Sequence, residues 1–318
     1  MHLHFISIRR VLQLGSLLIC LQLAAVPAAA DQREWDPGHY PFFAAAYTVI
    51  PGADLESAGT ASEMKAKETQ FAVGLFQFER DGLQVDFGLD YQYTHYAYAD
   101  IDGRNRDLHR LQFPVGLTRR FEDWAFTGFV APGIGTSSNV LKDIFERGSS
   151  DDFLATGRVE AFFRRNRQFS WLGGVAYDRA FGEAKPYPVV GVLYAPTDHV
   201  VMRLAAPDPY IRMTISDRYE ASLRLFPAGF EWHVVSDELN DHFRYRVEGI
   251  RLQGTWSFRF ARSTWLDFSL GYEFDRRHEF VDDTGRSIHS DLGNQVLLAV
   301  GLRWNDGPIP STNEITRP

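Results

Sequence analysis

The chain has 318 residues, with 41 acidic against 33 basic side chains and a single cysteine. The net charge of −8 argues against a nucleic-acid partner, because phosphate backbones are bound by basic surface. One cysteine excludes an internal disulfide framework, and no apolar run after Ala30 is long enough for a membrane helix.

Residues 1–30 read as a secretory signal peptide. Arg9 and Arg10 supply the positive region, residues 11–26 the apolar stretch, and Ala28-Ala29-Ala30 the cleavage site. The apolar stretch falls short of a span of about 20 residues, which disfavours an uncleaved anchor. Bulky Ile19 before Cys20 disfavours a lipid anchor. Sec-type export with cleavage after Ala30 is expected; loss of Arg9 and Arg10 then takes the charge from −8 to −10. Residues 31–40 are expected to form a short periplasmic segment.

From residue 41 onward the dominant signal is strict alternation. In 83–96, LQVDFGLDYQYTHY, Leu83, Val85, Phe87, Leu89, Tyr91 and Tyr93 alternate with Gln84, Asp86, Gly88, Asp90, Gln92 and Thr94. Similar patterns recur at 69–78, 108–119, 124–133 and 153–164. Further examples follow at 169–179, 188–195, 219–226, 244–260, 264–277 and 291–304. Period-2 segments divided by turn residues predict an all-β chain.

Several segments run to 12 residues or more, against about 5–6 in soluble sheets. Twelve residues at roughly 3.4 Å each, tilted near 40°, rise about 30 Å, the thickness of a bilayer core. The polar faces carry Asp86, Asp90, Arg224, Glu231, His233, Arg251, Arg259, Asp267, Glu273 and Asp275. So many charges cannot fill a dry core, whereas a wet or salt-bridged lumen accommodates them. Tyr93, Tyr96, Tyr98, Trp171 and Trp304 sit near strand ends, where aromatic side chains mark membrane interfaces. The expected fold is a transmembrane antiparallel up-and-down β-barrel spanning 41–304, in contact with outer-membrane lipid and lipopolysaccharide.

Fifteen candidate strands can be read, including short ones at 199–205, 210–216 and 230–236 among Pro196, Pro207, Pro209 and Pro227. A bacterial single-chain barrel takes an even number. The reading is therefore 14 strands, with 12 as the alternative, and long outer connections at 51–68, 99–107, 134–152 and 278–290. Residues 305–318 are polar and Pro-rich and are expected to be a disordered tail. With Asn305–Pro318 following Trp304, the barrel-assembly machinery is expected to read an internal signal near Val296–Trp304.

Chemistry-bearing patterns are weak. His95 is placed near an interface, where a lipid hydrolase of this architecture would carry its base, yet no serine follows it in a fitting pattern. Glu231 and His233 share a strand face about 7 Å apart and form a second couple. Asp100–Asp107 alternates acidic and amide groups around Gly103, as calcium loops do, but Arg104 and Arg106 interrupt it and Asp-Gly is a common hairpin signal. In 139–152, Val140, Leu141, Ile144 and Phe145 fall at helical spacing, suggesting a short amphipathic helix, folded into the mouth as a lid or lying on the surface. No cofactor and no metal is expected, and an enzyme is not the favoured reading. A narrow pore or transporter for small polar solutes is favoured, over a plugged structural or surface-binding barrel and a lipid-modifying hydrolase.

Between about Leu108 and Phe280 a series of landmarks appears in order. They are Leu111-Gln112-Phe113-Pro114, Trp124 before Ala131-Pro132-Gly133, Pro188 with Gly191, and Tyr194-Ala195-Pro196. Pro207-Asp208-Pro209, Gly229 with Trp232, and Gly271-Tyr272-Glu273-Phe274-Asp275-Arg276 complete the series. In these the chain resembles an uncharacterised family of bacterial outer-membrane β-barrels. The resemblance implies the barrel and its location, and no activity.

Overall fold

A computed structural model describes residues 42–57, 60–99, 105–236, 241–282 and 285–304. The predicted signal peptide, the 31–40 segment, most of the Asp100–Asp107 loop and the 305–318 tail lie outside the described residues. Among the described residues, seventeen strand segments form one sheet. In chain order they are β1 (Phe43–Ser57), β2 (Thr60–Arg80), β3 (Leu83–Tyr98), β4 (Arg106–Gln112), β5 (Val115–Arg120) and β6 (Trp124–Ser137). There follow β7 (Phe153–Arg164), β8 (Phe169–Asp178), β9 (Lys185–Thr197), β10 (Val200–Ala206) and β11 (Tyr210–Ser216). The last are β12 (Tyr219–Pro227), β13 (Phe230–Ser236), β14 (Asp241–Arg259), β15 (Thr264–Asp282), β16 (Ser287–Leu292) and β17 (Gln295–Trp304).

Three pairs of segments are single strands, each interrupted by two residues. β4 and β5 both lie between β3 and β6, β16 and β17 both lie between β15 and β1, and β12 continues into β13 along β14. β12 and β13 keep one register against β14, from Pro227↔Ile250 to Phe230↔Val247. Merging them removes the surplus fifteenth strand and leaves 14. β1 and β17 pair antiparallel from Phe43↔Trp304 to Val49↔Leu298, closing the sheet into a barrel.

One end, here the near end, holds Phe43, Trp304 and turns as tight as Asp81-Gly82. There the outward face follows the alternation. Phe71, Leu117, Val130, Val159, Trp171, Val175, Leu223, Phe268, Leu270, Leu298 and Val300 point out and are exposed. An apolar outer belt over a polar interior is the membrane arrangement. Stacked and edge-on rings such as Phe42–Trp304, Trp124–Phe126 and Phe169–Trp171 gird its lower rim.

Toward the far end the strands continue where loops were expected. β1 and β2 replace most of the 51–68 connection, and β15 and β16 most of 278–290. β2 has 21 residues and β14 and β15 19 each, so they rise to about 50 Å, well past a bilayer core. β10 and β11 have only seven residues each and reach about 18 Å. Above them, among the described residues, the sheet has no strands: the turn between β8 and β9 packs against β13 and β14, with the Gly229 N–H donating to the Ala180 carbonyl at 2.8 Å and Arg246 lying 3.4 Å from Glu183. There β13 meets β6 in a parallel contact, His233↔Thr136. The far end is therefore a smaller ring of nine segments: β1, β2, β3, β4, β6, β13, β14, β15 and β16. With directions alternating, an odd ring must contain one parallel pair, and this is it.

Polarity inverts in that ring. Ile50, Met64, Tyr96, Leu108, Phe230, Trp232, Phe243 and Tyr245 point inward and form one buried cluster. Lys65, Lys67, Arg244 and Arg277 lie outside and are exposed. Above the belt the outer face meets water, so the ring packs like a soluble barrel. About eight strands enclose only their own side chains, so nine leave no open channel, while 14 leave room for water.

Candidate functional site

Between these two regimes the lumen is lined by charge. Arg251 is buried; its Nε donates to Glu273 Oε1 at 2.6 Å and its Nη2 to Glu68 Oε1 at 3.1 Å. Arg276 Nε lies 2.9 Å from Glu273 Oε2. Beside this group, with Arg224 and Arg251 both over the Phe226 ring, Asp208 on the turn after β10 is gripped by both Nη atoms of Arg158 at 3.1 Å, with Arg224 at 3.4 Å. Glu160 bonds Arg158 Nε at 2.6 Å and also holds Arg203. Forked guanidinium–carboxylate contacts satisfy such buried charges pairwise. Lower down, Arg303 Nη2 donates to Asp267 Oδ1 at 3.4 Å, and Arg259 and Arg303 both lie over the Trp265 ring. Asp86 and Asp90 line the same interior, half-buried, on β3.

Directly above sits the aromatic core. The Tyr98 hydroxyl lies 2.6 Å from that of Tyr245, which lies 2.6 Å from His278 Nδ1. Tyr96 meets Trp232, Tyr245 and His278 edge-on across the ring. Arg110 lies over the Phe230 ring. The lumen is thus lined by charge below, salt-bridged in the middle and packed with aromatic side chains at the far end.

Several expected positions change. Tyr96 and Tyr98, expected as interface aromatics, are 4% and 8% exposed and face inward. They share the even phase of Asp86 and Asp90, but above the belt that face is the dry one. Glu231 and His233, expected in the lumen, project from the outer face of β13, in phase with outward Leu223 and Leu225. Glu231 accepts from Arg246 at 2.8 Å, with Glu279 beside it. Arg244, Arg246 and Glu248 are likewise outside, in phase with Ile250 and Leu252. Asp275, also expected in the lumen, is exposed at φ 53° where the β15 alternation slips by one residue. Tyr93, Trp171 and Trp304 lie on the outer face.

The 139–152 loop folds as α1 (Ser138–Lys142), α2 (Ile144–Arg147) and a 3-10 turn at Ser150–Asp152. α1, with Val140 buried, packs against β4, β6 and β13 on the rim, while Phe145 is fully exposed. Asp152 Oδ1 lies 3.0 Å from His233 Nδ1, and His233 Nε2 lies 3.2 Å from His242 Nδ1. Burial pushes the Asp152 carboxyl up, but hydrogen bonds from His233, Thr136 and the Ser149 N–H hold it below the usual carboxylate range. Among the described residues no group of three or more His, Cys, Asp or Glu side chains is arranged to hold a metal ion.

These features define an antiparallel 14-strand barrel of the outer-membrane type. The family model described as "Domain of unknown function (DUF6268)" matches residues 89–305, and the chain belongs to that family. No curated protein matches it. Solved structures similar to it include the Pseudomonas putida toluene transporter TodX, at 8% identity and a TM-score of 0.36, covering 83% of this chain and 89% of that one. The KdgM porin aligns at 7% identity and a TM-score of 0.37, covering 83% and 99%. The Ralstonia pickettii toluene transporter TbuX aligns at 11% identity and a TM-score of 0.40, covering 84% and 90%.

Proposed function

We propose that this protein is an outer-membrane channel for small polar solutes, held closed at its outer end. The exported chain, cleaved after Ala30, inserts through the barrel-assembly machinery with its near end in the periplasm and its far end outward. The observation that carries the reading is the juxtaposition of a charged lower lumen with a core closed at one parallel strand contact, β13 on β6. Among the described residues every other strand contact in the far ring is antiparallel, whereas β13 meets β6 at one parallel register pair, bridged from outside by Asp152, which is held by Thr136 of β6 and lies 3.0 Å from His233 of β13. Opening that seam would let β13 swing out, drawing Trp232 and Phe230 from the ring. A second reading, a permanently plugged barrel, is favoured by the buried Tyr98–Tyr245–His278 network.

Planar-bilayer recording distinguishes the two. The wild type is expected to be closed with infrequent conductance steps, and Trp232→Ala with Tyr245→Ala to give larger, sustained steps. Silence from both, with both still showing the heat-modifiable mobility of a folded barrel, would sink the channel reading.

A further inference from the structure

A polar cluster on the outer surface is used by neither the lumen nor the seam. It lies on β3 and β4, where the outward face changes from Leu89 and Leu111 to Lys67 and His95. Ser138 Oγ, at the start of α1, lies 2.7 Å from His109 Nε2. On the other side of the ring, His109 Nδ1 lies 2.8 Å from the Tyr91 hydroxyl. Asp107, on the same face as His109, accepts from the Tyr93 hydroxyl and lies 2.8 Å from His95 Nδ1. Ser138, His109 and Tyr91 are all half-buried, so the group is ordered by neighbours yet open to the surface.

From this geometry we infer that Ser138 and His109 form the nucleophile and base of a serine ester hydrolase acting on acyl esters of phosphate-bearing lipids. A serine hydroxyl becomes a useful nucleophile when an imidazole nitrogen within hydrogen-bond reach takes its proton and a third group holds the ring. Tyr91 is that third group: with Nδ1–H donating to the Tyr91 oxygen, Nε2 is left as the acceptor facing Ser138. Tyr91 is a positioning residue. The substrate class follows from height. Below the cluster the surface is apolar and suits acyl chains; above it Lys65 and Lys67 are exposed and suit phosphate. The ester linkages of a lipid lie between those two levels.

In the reaction, Ser138 Oγ forms a bond to the ester carbonyl carbon as its proton passes to His109 Nε2. The bond to the alkoxy oxygen then breaks, and that oxygen takes the proton from His109 and leaves as an alcohol. Water, deprotonated by His109, then bonds to the acyl carbon; the bond from that carbon to Ser138 Oγ breaks, Ser138 takes the proton back from His109, and a fatty acid leaves. No oxidant or metal enters the balance. The inference rests on the outward orientation proposed above and is independent of conduction.

The test uses the full barrel folded in detergent micelles. A fluorophosphonate probe should label Ser138, identified by peptide mass spectrometry, and Ser138→Ala should abolish labelling. His109→Asn should lower it at least 100-fold, with the barrel still heat-modifiable. Tyr91→Phe should lower kcat more than KM and displace the pH profile, which a purely structural role would not do. His199→Ala, in the exposed near-end turn between β9 and β10, should leave labelling unchanged. Micelles carrying phosphatidylethanolamine or purified lipid A then separate the two sources of the ester by which releases fatty acid. Absence of an adduct from pH 6 to 9 in the folded wild type, or an adduct on another serine, would overturn the inference.

Discussion

Arg251 illustrates how a buried charge holds this wall. Its guanidinium serves Glu68 on β2 and Glu273 on β15, joining strands that are not neighbours in the sheet. Taking three charges out of water costs several kcal/mol per ion, and the forked contacts recover that cost only while all partners remain. Arg251→Ala should therefore destabilise the barrel by about 3–5 kcal/mol, because Glu68 is left buried and unpaired. Arg251→Met combined with Glu68→Gln should recover most of the loss, since Glu273 keeps Arg276. Urea unfolding from lipid vesicles, followed by tryptophan fluorescence, measures both. A double variant no more stable than Arg251→Ala would mean that the charges matter for something other than mutual neutralisation.

At the level of elements, the strands are legible in the sequence, except that the upper parts of β1, β2, β15 and β16 read as the loops 51–68 and 278–290. Alternation specifies two faces but does not say which is wet. On β14, Ile250, Leu252 and Trp256 are the apolar set below, whereas Phe243, Tyr245 and Val247, of opposite parity, are the apolar set above. That change of phase marks the upper edge of the apolar belt; alternation carried through without it puts Tyr96, Tyr98, Glu231 and His233 on the faces opposite to those they occupy. The Ser138–His109 couple was hidden for another reason. It joins a strand to a helix 29 residues away, and no local spacing announces such a meeting. The 138–152 excursion is anchored by Asp152, whose carboxyl is ionised more readily folded than unfolded. The sign follows: its contribution is complete above the ordinary carboxylate value of about 4 and is lost as pH falls through the lowered folded value. Hydrogen exchange of 138–152 amides should stay slow from pH 7 to about 5 and accelerate in more acid buffer beyond the intrinsic trend. Asp152→Asn should show fast exchange throughout; equally slow exchange in that variant would remove Asp152 from the anchoring role.

For the whole molecule, two barrels of different size share most of their strands, and the short β10 and β11 are what separate them. Had those strands matched β14 in length, the 14-strand circumference would continue upward and the aromatic residues of β13 would lack an opposite wall. Their shortness frees the edge of β13 to find β6, and the closure costs one parallel contact. The described chain holds no cysteine, its single one being Cys20, so a crosslink can be placed at that contact alone. Thr136 and His233 are register partners on adjacent strands, a separation of about 5 Å that suits a disulfide. Thr136→Cys with His233→Cys should oxidise readily, and the oxidised barrel should give no conductance steps. Addition of dithiothreitol should restore stepping, with longer openings than the wild type because the Asp152–His233 contact is gone. Steps that persist at unchanged size in the oxidised barrel would show that solutes do not pass the β13–β6 seam, and the path would then have to leave the lumen below it, over the low wall of β10 and β11.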